Sequence, residues 1–495
     1  MAFYITTPIY YVNAEPHLGH AYTTIAADVV ARHMRQRGEE VFFLTGTDEH
    51  GEPVAQAAER QGLTPQELVD RNAPKFQDLF KRVNATADFF IRTSDEQHKK
   101  AVQEVLQRVH DAGYVYRGHY EGYYCPRCAD FKTDAELVDG NKCPIHLIVL
   151  EREIEDNWFF KLSAFQEPLE RWYAEHPEWV LPDFRYNEAL SFIKQGLQDV
   201  SLSRVRISWG IEVPWEPSQV FYVWFDALLN YYTALTYAPG ASVEKFWPPN
   251  VQLLAKDILK FHAVIWPALL MAAGLQLPKQ LYIHGYLLMD EHKMSKSLGN
   301  VIDPFQIIEK FGTDALRFYL MREVSFGQDG NVSTEGFETR YTTELANEYG
   351  NLASRTLAMI DRYRDGEVTR PAAPPLAESF AGVTDTVCRR IDRIDVTGAL
   401  EEIWQRIREL NAFVAAEQPW QLAKDPAEAE HLDAVLYTLT EGLRVVSILL
   451  QPWIPDASGK LLDALAVDDR GMPAFGDWPG GKVSKIEPLF PRVEA

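Results

Sequence analysis

The chain has 495 residues, of which 46% are hydrophobic and 24% are charged, an ordinary composition for a globular protein with roughly three domains. Its formal net charge of −22 argues against broad non-specific binding to nucleic acid or to anionic membranes. No run approaches the roughly 20 apolar residues of a membrane helix. The opening sequence MAFYITTPIYYVN lacks the basic and apolar regions of a signal peptide, so we expect a cytoplasmic protein.

The N-terminal part alternates strand and helix patterns. A β-branched and aromatic run, Phe3–Thr7, is followed by a helical pattern that ends at about Arg37, before Gly38. A second strand pattern, Val41–Thr45, leads into a polar turn at residues 46–51. Strands that alternate with helices predict a parallel sheet, and ligands of such sheets bind at the carboxyl ends of the strands.

The alternation breaks at about Gly118 and resumes after Ser208. The later predicted elements are strands at Val220–Trp224, Val251–Ala255 and Leu281–His284, and helices at Phe225–Leu235 and Ile258–Ala273. The fold class is therefore α/β, with a doubly wound parallel-sheet (Rossmann-like) domain that is split by an insertion.

Strand patterns fade after about Thr334, and two apolar stripes at helical spacing follow. They comprise Leu400, Ile403, Trp404, Ile407, Leu410 and Val414, and Leu432, Leu436, Leu439, Leu443, Val446 and Leu450. We predict an all-α bundle with an irregular tail from Arg470. The expected domains are residues 1–117 and 209–290 for the two halves of the Rossmann-like domain, 118–208 for the insertion, 291–335 for a linker, and 336–495 for the bundle.

A histidine pair stands where the first helix begins. His17 and His20 flank Leu18-Gly19, after the first predicted strand and its loop. A helix N-terminus binds anions through its N–H groups and dipole, and two imidazoles there can donate hydrogen bonds to phosphate oxygens. Gly19 would let an adenine ring approach the backbone. Two histidines that merely cap the helix are the alternative that the motif alone leaves open.

A basic loop, MDEHKMSKSLGN at residues 289–300, follows the last predicted strand. It combines two lysines, Lys293 and Lys296, with two hydroxyls, Ser295 and Ser297. Such a loop can fold over a triphosphate and neutralise charge as it develops. An ordinary basic surface loop is the alternative, so the interpretation depends on the rest of the nucleotide site.

Three of the four cysteines lie in one short segment. Cys125 and Cys128, with Cys143 and His146, give the spacing C-x₂-C…C-x₂-H of a closed tetrahedral zinc site. Because the protein would fill all four positions, the predicted Zn²⁺ is structural. A disulfide pair or buried thiols are the alternatives. Cys388 stands alone in a predicted helix, where we expect a core thiol.

The histidine and lysine motifs together are more specific than either one alone. The pair resembles the two signature motifs of the class I aminoacyl-tRNA synthetases. Further segments narrow the resemblance to the methionyl-tRNA synthetase family, namely GTDEHG at 46–51, YVWFDA at 222–227, KDI at 256–258, FH at 261–262 and NLASR at 351–355. This resemblance covers about residues 3–455.

The resemblance implies an ATP-dependent methionine–tRNA ligase. Such an enzyme activates L-methionine to methionyl-adenylate, releases diphosphate, and transfers the methionyl group to the 3′-terminal adenosine of tRNA(Met), for both initiation and elongation of translation. The first step needs positioning and charge neutralisation rather than a protein nucleophile. ATP is expected to bind with Mg²⁺, and the insertion is expected to hold one structural Zn²⁺.

The family also implies which residues handle ATP. His17 and His20 would hold phosphates, while Lys293 and Lys296 would stabilise the transition state. The further ATP-binding residues would be Gly19, Asp257 at the ribose, His284 and Gly285 at the adenine, and Ser295 and Ser297 in the basic loop.

By the same resemblance, the methionine pocket would be built from Ile9, Tyr11, Asp48, Trp224, Tyr231, Phe261 and His262. A carboxylate such as Asp48 can hold the substrate ammonium, and aromatic faces suit a thioether. Tyr231 and His262 would read the sulfur as a weak acceptor. From the pattern alone, plain core packing is the alternative for these aromatic residues.

The family's anticodon readers match Asn347, Asn351, Arg355 and Trp420 within 336–495. Asparagine and arginine can bond base edges, and tryptophan can stack on an unpaired base. A buried core residue is the alternative for Trp420. The expected partners are tRNA(Met), methionine and ATP, without DNA or membrane, and the lack of an appended C-terminal module favours a monomer.

Three rival functions agree less well with the sequence. A class I synthetase for a small apolar amino acid is disfavoured by Trp224, Tyr231 and His262. A nucleotidyltransferase with a His-x-Gly-His phosphate site would not need the long helical region. A catalytically inactive tRNA-binding paralogue has no reason to keep both histidines and both lysines.

Overall fold

The computed structural model describes residues 1–125, 130–132, 134–289, 292–293 and 303–492. Within these residues, six strands form one parallel sheet. In chain order they are β1 (Ala2–Tyr11), β2 (Glu40–Asp48), β3 (Phe89–Arg92), β4 (Val180–Leu181), β5 (Val251–Ala255) and β6 (Leu281–His284). Their order across the sheet is β3-β2-β1-β5-β6-β4. The strand order therefore reverses between β1 and β5, where doubly wound sheets open a crevice for ligands.

Helices cover both faces of this sheet. They are α1 (Leu18–Gln36), Glu52–Glu59, Pro65–Arg82, α2 (Glu96–Val109), Gln166–Glu175, Asp183–Lys194, α3 (Val223–Tyr237), Val243–Phe246 and Trp266–Ala272. Successive side chains of a strand point to opposite faces, so Tyr4 and Phe42 enter one hydrophobic core while Ile5 and Phe43 enter the other. The predicted doubly wound parallel sheet is confirmed in this part of the chain.

Two element boundaries differ from the sequence prediction. The differences change which elements carry the site residues Tyr11, Asp48 and Trp224. Strands β1 and β2 run on to Tyr11 and Asp48, which are register partners at the end of the sheet. The predicted strand through Trp224 is wrong, because that strand spans Glu216–Phe221 and Trp224 lies in the first turn of α3. The chain turns there because the Phe225 N–H donates to the Tyr222 carbonyl at 2.9 Å.

The stretch predicted as an insertion contains an antiparallel sheet. Its strands are Val115–Cys125, Asp130–Lys132, Glu151–Phe160 and Val200–Ser201. Two small sheets follow, built from Ser203–Arg204, Glu212–Val213 and Glu216–Phe221, and from Leu287–Met289, His292–Lys293 and Gly330–Asn331. The same stretch also supplies β4, which pairs with β6 and extends the parallel sheet.

Helices dominate from residue 304 onward. They are Pro304–Phe311, α4 (Thr313–Glu323), Thr334–Arg340, Tyr341–Gly350 as a wider helical segment, α5 (Asn351–Arg364), Ala377–Phe380, Val383–Ile391, Val396–Glu417, Pro419–Leu422, Ala429–Leu450 and Pro455–Ala464. Every residue of the two predicted apolar stripes is buried in one shared core. The irregular tail contributes a short strand, Gly480–Lys482, that pairs with Glu367–Thr369. Among the described helices, none combines the length and apolar character needed to cross a membrane.

A buried ion pair joins the sheet to the helical region. Arg317 of α4 lies 2.7 Å from the Asp28 carboxylate of α1, and both side chains are fully buried. The same guanidinium donates to the carbonyls of Val83 at 2.8 Å and of Trp453 at 3.1 Å. Helix α1 is therefore packed between the sheet and the helical region, and its position is set by both.

Candidate active site

A cavity of about 360 Å³ lies at the reversal of strand order, against the carboxyl ends of β1, β2, β5 and β6. Twelve residues predicted for the site line it: Ile9, Tyr11, His17, Gly19, His20, Asp48, Trp224, Tyr231, Asp257, His262, His284 and Gly285. Phe261 does not line it, but its ring stacks on Trp224 with centroids 3.7 Å apart and planes 6° apart. The fold thus brings the predicted nucleotide and amino-acid residues around one cavity.

The histidine pair caps α1 through its Nδ1 atoms. The Gly19 N–H donates to His17 Nδ1, and the His17 N–H donates to His20 Nδ1, each at 3.1 Å. This reciprocal arrangement is a capping box built from imidazoles. A backbone N–H can only donate, so both Nδ1 atoms are acceptors and each neutral ring carries its proton on Nε2. The cap therefore fixes Nε2–H as the donor that each ring presents.

Glycine is required at two points of the cavity wall. A Cβ at Gly19 would lie 2.9 Å from His17 Cε1 and would disturb the cap. A Cβ at Gly285 would lie 2.4 Å from the backbone nitrogen of Asp329, which packs against it. Both glycines thus have packing reasons to be present, beside any role in admitting a ligand.

Asp48 is a buried carboxyl group on the cavity wall, 3% exposed. Burial raises its pKa well above the ordinary value, and the negative charge of Asp226 raises it further. Its neighbour Glu49 is paired with Arg92 at 2.7 Å. Within the described residues, no lysine, arginine or histidine forms an ion pair with Asp48. A cation in the cavity would supply the missing partner.

Tyr231 and His262 form a closed hydrogen-bonded pair. The Tyr231 hydroxyl lies 2.8 Å from His262 Nε2, and His262 Nδ1 lies 3.1 Å from the carbonyl oxygen of Ile258. The carbonyl can only accept, so Nδ1 carries the proton and Tyr231 donates to Nε2. Burial lowers the pKa of His262 to about 4, which keeps the ring neutral.

This geometry corrects the expectation that both residues donate to a sulfur atom. The Tyr231 proton is committed to His262, and the His262 proton is committed to Ile258. The pair therefore presents lone pairs and ring edges rather than donors. Sequence spacing could not reveal this, because it depends on which carbonyl lies behind the histidine.

Sequence reasoning missed Thr23, which bridges two walls of the cavity. Its hydroxyl lies 2.8 Å from His284 Nε2, while His284 Nδ1 lies 2.8 Å from the Gly285 carbonyl oxygen. Burial lowers the pKa of His284, so the ring is neutral and Thr23 donates to it. The sequence contained part of the information needed to find Thr23, because this residue lies one helical turn after Gly19.

A second missed set surrounds Tyr286 on the cavity wall. The Asp329 carboxylate accepts from the Tyr286 N–H at 2.8 Å and pairs with Lys256 at 2.6 Å. The Lys256 ammonium lies 4.4 Å from the centroid of the Tyr286 ring. Asp329 lies far away in the chain, so no local pattern indicated it.

Two cysteines and a histidine of the predicted metal site converge. The ligand atoms of Cys125, Cys143 and His146 lie within 4.8 Å of one another, and His146 Nδ1 is 3.8 Å from each sulfur. Ligands at ordinary Zn–S and Zn–N lengths in a tetrahedron have an S···N separation of about 3.6 Å. The two cysteines are fully buried and form no disulfide. The donor set fits a zinc ion.

In the helical region, Asn347, Asn351 and Arg355 are exposed and follow one another at four-residue intervals. The Arg355 guanidinium lies 5.9 Å from the Trp420 ring, which is half-buried. A small cavity between them is also lined by Asn411. We call these four predicted residues and Asn411 the polar–aromatic cluster.

Four predicted site residues, Cys128, Ser295, Lys296 and Ser297, lie outside the described residues. For Lys293 the backbone alone is described, and it pairs with Leu288 in a short antiparallel ladder.

Comparison with known sequences identifies one family. The chain matches the family described as tRNA synthetases class I (M) over residues 3–153 and 149–357. It is 44% identical over 523 residues to the methionine–tRNA ligase of Streptomyces coelicolor, covering 100% of this chain and 97% of the relative. It is 42% identical over 508 residues to the methionine–tRNA ligase of Caldanaerobacter subterraneus, covering 99% of this chain and 79% of the relative.

Solved structures are also similar. The methionyl-tRNA synthetase of Mycobacterium tuberculosis in complex with methionyl-adenylate aligns with a TM-score of 0.95 at 39% identity, covering 99% of this chain and 100% of that chain. The free-state structure of the same synthetase aligns with a TM-score of 0.88 at 37% identity, covering 100% and 98%.

The buried Asp48 gives a prediction for stability. Its pKa is raised on folding, so its contribution to stability is complete below the unfolded pKa and is lost as the pH rises through the folded pKa. We expect Asp48→Asn to raise the free energy of unfolding at neutral pH by roughly 0.5–2 kcal/mol. The gain should vanish below about pH 4, where the carboxyl is neutral in both states.

Urea denaturation across this pH range measures the effect. Asp468→Asn is the matched control, since Asp468 is exposed and its removal should change stability little at any pH. A gain that persists unchanged at acidic pH, or a loss at neutral pH, would contradict the assignment.

Proposed function

The chain belongs to the methionyl branch of the class I tRNA synthetases, and we infer that it activates methionine with ATP and transfers the methionyl group to tRNA. It is a ligase of protein biosynthesis. The observation that carries this conclusion is the composition of the cavity wall. One side bears a buried carboxyl, which has no ion-pair partner among the described residues, beside aromatic rings, and the other bears a helix N-terminus with two imidazoles.

The amino-acid half of the site suits methionine. Asp48 would bind the ammonium group, whose positive charge would favour the ionised form of this buried carboxyl. The stacked pair of Trp224 and Phe261 offers a flat apolar wall, and a thioether makes favourable contacts with aromatic rings. Ile9, Tyr11, Tyr231 and His262 would complete the pocket. Because Tyr231 and His262 have no spare proton, shape and polarisability would select the side chain.

The nucleotide half suits ATP. His17 and His20 would donate Nε2–H to phosphate oxygens at the positive end of α1. Asp257 would bind the ribose, and the segment His284–Gly285 would meet the adenine beside Gly19. The lysine loop, with Lys293, Ser295, Lys296 and Ser297, would close over the phosphates. Mg²⁺ would accompany ATP and neutralise phosphate charge.

The methionine carboxylate would attack the α-phosphorus of ATP in line, with diphosphate as the leaving group. The protein would contribute position and charge complementarity, since no protein nucleophile is required. The pocket would hold the ammonium and side chain, which directs the carboxylate toward the phosphate side of the cavity. The ribose hydroxyl of the tRNA terminus would then attack the acyl carbon of methionyl-adenylate, with AMP as the leaving group.

The part of the helical region at residues 336–495 would read the anticodon through the polar–aromatic cluster. Exposed amide and guanidinium groups can bond base edges, and Trp420 can stack on an unpaired base. The local cluster would bind tRNA(Met) despite the net charge of −22, because recognition depends on the surface that faces the RNA. We also propose that the chain acts as a monomer in the cytoplasm, and that residues 1–117 and 209–290 are its catalytic domain.

Cys125, Cys143 and His146, with Cys128 as the fourth ligand, would hold a structural Zn²⁺ in the insertion, residues 118–208. The ion would stabilise the fold of this small cluster, whose hydrophobic core comprises few residues. It would take no part in the chemistry, because the protein would fill all four positions.

ATP–pyrophosphate exchange across a panel of amino acids tests the activity. We expect exchange with methionine to exceed that with leucine, isoleucine and norleucine, because the aromatic wall favours the thioether. An apolar pocket discriminates by roughly 1–3 kcal/mol per methylene, so the preference should be finite. Absence of exchange with methionine, or stronger exchange with leucine, would refute the proposal.

Substitution within the polar–aromatic cluster tests the RNA role. Arg355→Ala should lower kcat/KM for tRNA charging by about 10-fold or more, the size expected for loss of one base contact. Methionine-dependent exchange should stay unchanged, because the cluster lies in the helical region. Arg362→Ala is the control, since Arg362 is exposed on the same helix α5 but lies outside the cluster. Equal effects of the two substitutions would count against the assignment.

Metal analysis of the purified protein tests the zinc site. We expect about one zinc ion per chain. Cys143→Ala should remove it and lower the thermal stability of the protein, whereas Cys388→Ala should leave the zinc content unchanged. Folded, active protein without zinc would overturn the proposal.

A further inference from the structure

A buried network of polar side chains lies behind the candidate methionine pocket. The Asp226 carboxylate lies 2.6 Å from His50 Nδ1 through one oxygen and 2.6 Å from His98 Nε2 through the other. His98 Nδ1 lies 2.7 Å from the hydroxyl of Thr233. All four side chains are nearly or fully buried. None of these four residues lines the cavity.

The direction of these hydrogen bonds follows from the charge of Asp226. Burial opposes ionisation of this carboxyl, but the charge and hydrogen bonds of His50 and His98 outweigh burial and lower its pKa. An ionised carboxylate can only accept hydrogen bonds. His50 therefore donates from Nδ1, and His98 donates from Nε2. Each oxygen of the buried carboxylate has one donor, which its burial requires.

The network connects three elements that carry pocket residues or support them. Asp226 and Thr233 belong to α3, which also carries Trp224 and Tyr231. His98 belongs to α2 and joins it to α3. His50 belongs to the turn after β2, two residues beyond Asp48. The network thus sets the position of the Asp48 turn against α3.

The other contacts of the Asp48 turn include strand β3, the residue after it and Trp209: the Glu49 side chain pairs with Arg92 at 2.7 Å, and the Glu49 N–H donates to the Thr93 hydroxyl at 2.9 Å. The Trp209 indole N–H donates to the Glu49 carbonyl at 2.6 Å, and the Gly51 N–H donates to the Trp209 carbonyl at 3.1 Å. The His50 ring also meets Trp209 edge to face, with centroids 5.3 Å apart. Trp209 holds the backbone of the turn, and Asp226 ties the His50 side chain of the turn to α3, beside the packing of Gly51 against Val223.

We propose that Asp226, held between His50 and His98, is a positioning residue for recognition of the substrate's ammonium group. It fixes the turn that carries Asp48 relative to α3, and it adds a second negative charge behind the carboxylate that meets the ammonium. This inference rests on the proposed function and assigns to it three residues that do not touch the cavity.

Paired substitutions at the two histidines test the proposal. His98→Leu removes the donor to Asp226, whereas His98→Gln keeps an amide N–H near the position of Nε2. His50→Leu and His50→Asn form the equivalent pair for Nδ1. The leucine variants should raise KM for methionine about tenfold or more, the effect of leaving a buried charged acceptor without its donor. The amide variants should stay within about threefold of wild type.

Two methionine analogues separate ammonium recognition from a general loss of pocket shape. Methioninol keeps the ammonium and lacks the carboxylate, while the 2-hydroxy acid analogue of methionine keeps the carboxylate and thioether and lacks the ammonium. In the leucine variants the inhibition constant of methioninol should rise with KM for methionine. That of the hydroxy acid, and KM for ATP, should change by less than about twofold.

His33→Leu is the matched control, since His33 is buried in α1, far from the network, and neither of its nitrogens has a hydrogen-bond partner among the described residues. If a leucine variant fails to fold, Thr233→Val keeps the side-chain shape, removes the support of His98, and should shift methioninol in the same direction by a smaller factor. Equal behaviour of leucine and amide variants, or equal losses for both analogues, would overturn the proposal. Wild-type protein without methionine-dependent exchange would instead refute the proposed function.

Discussion

The fully buried ion pair between Asp28 and Arg317 fixes how the two main parts of the molecule meet. The cost of desolvation offsets much of the electrostatic attraction in such a pair. The main effect of the pair is therefore to favour one relative position of α1 and α4 over alternative positions. Loss of Asp28 would leave the buried Arg317 guanidinium with carbonyl acceptors and without an ion-pair partner among the described residues, whereas Asp28 is also paired with Arg32 at 2.7 Å. Helix α1 therefore has one defined position, and its N-terminus with His17 and His20 is held against the cavity. The orientation of the candidate phosphate-binding histidines thus depends on packing that lies well inside the helical region.

Four histidines with fixed tautomers determine the pattern of hydrogen-bond donors and acceptors around the cavity. Backbone N–H groups set the protons of His17 and His20 on Nε2, while backbone carbonyls set those of His262 and His284 on Nδ1. The first pair therefore has its donor at Nε2, whereas the second pair accepts from hydroxyl groups at Nε2. Because these four rings are uncharged, the acidic group Asp48 has the largest influence on the electrostatic potential at the amino-acid side of the cavity. A zwitterion would meet its negative wall with its ammonium and turn its carboxylate toward the imidazole donors, which is the orientation that adenylate formation needs.

Asp48 is a carboxyl group whose ionisation is disfavoured by its burial, and the fold tolerates it. Asp48 is buried close to Asp226, and the surrounding acidic groups have their own partners in Arg92, His50 and His98. A buried charge that has no partner until a ligand binds lowers the stability of the protein. It also raises the affinity for a ligand that supplies the opposite charge. The two hydrophobic cores on either face of the sheet supply the stability that makes this possible. For the same reason, a substitution at Asp48 that raises the stability of the protein would abolish binding of the substrate ammonium group.

The sequence by itself determined the parallel sheet and the two buried helical stripes, because periodicity is a local property, whereas the residues predicted for the methionine pocket came from resemblance to a family. Resemblance to a family supplied the roles, which no local pattern could establish. Only the tertiary structure decided which atoms of those residues donate and which accept, since each tautomer depends on a backbone group brought alongside by folding. It also decided the partners distant in the chain, such as Asp329 beneath Gly285, Thr23 beside His284, and Asp226 between His50 and His98. These contacts join residues that a sequence pattern treats as unrelated, and their geometry arises from the packing of whole elements.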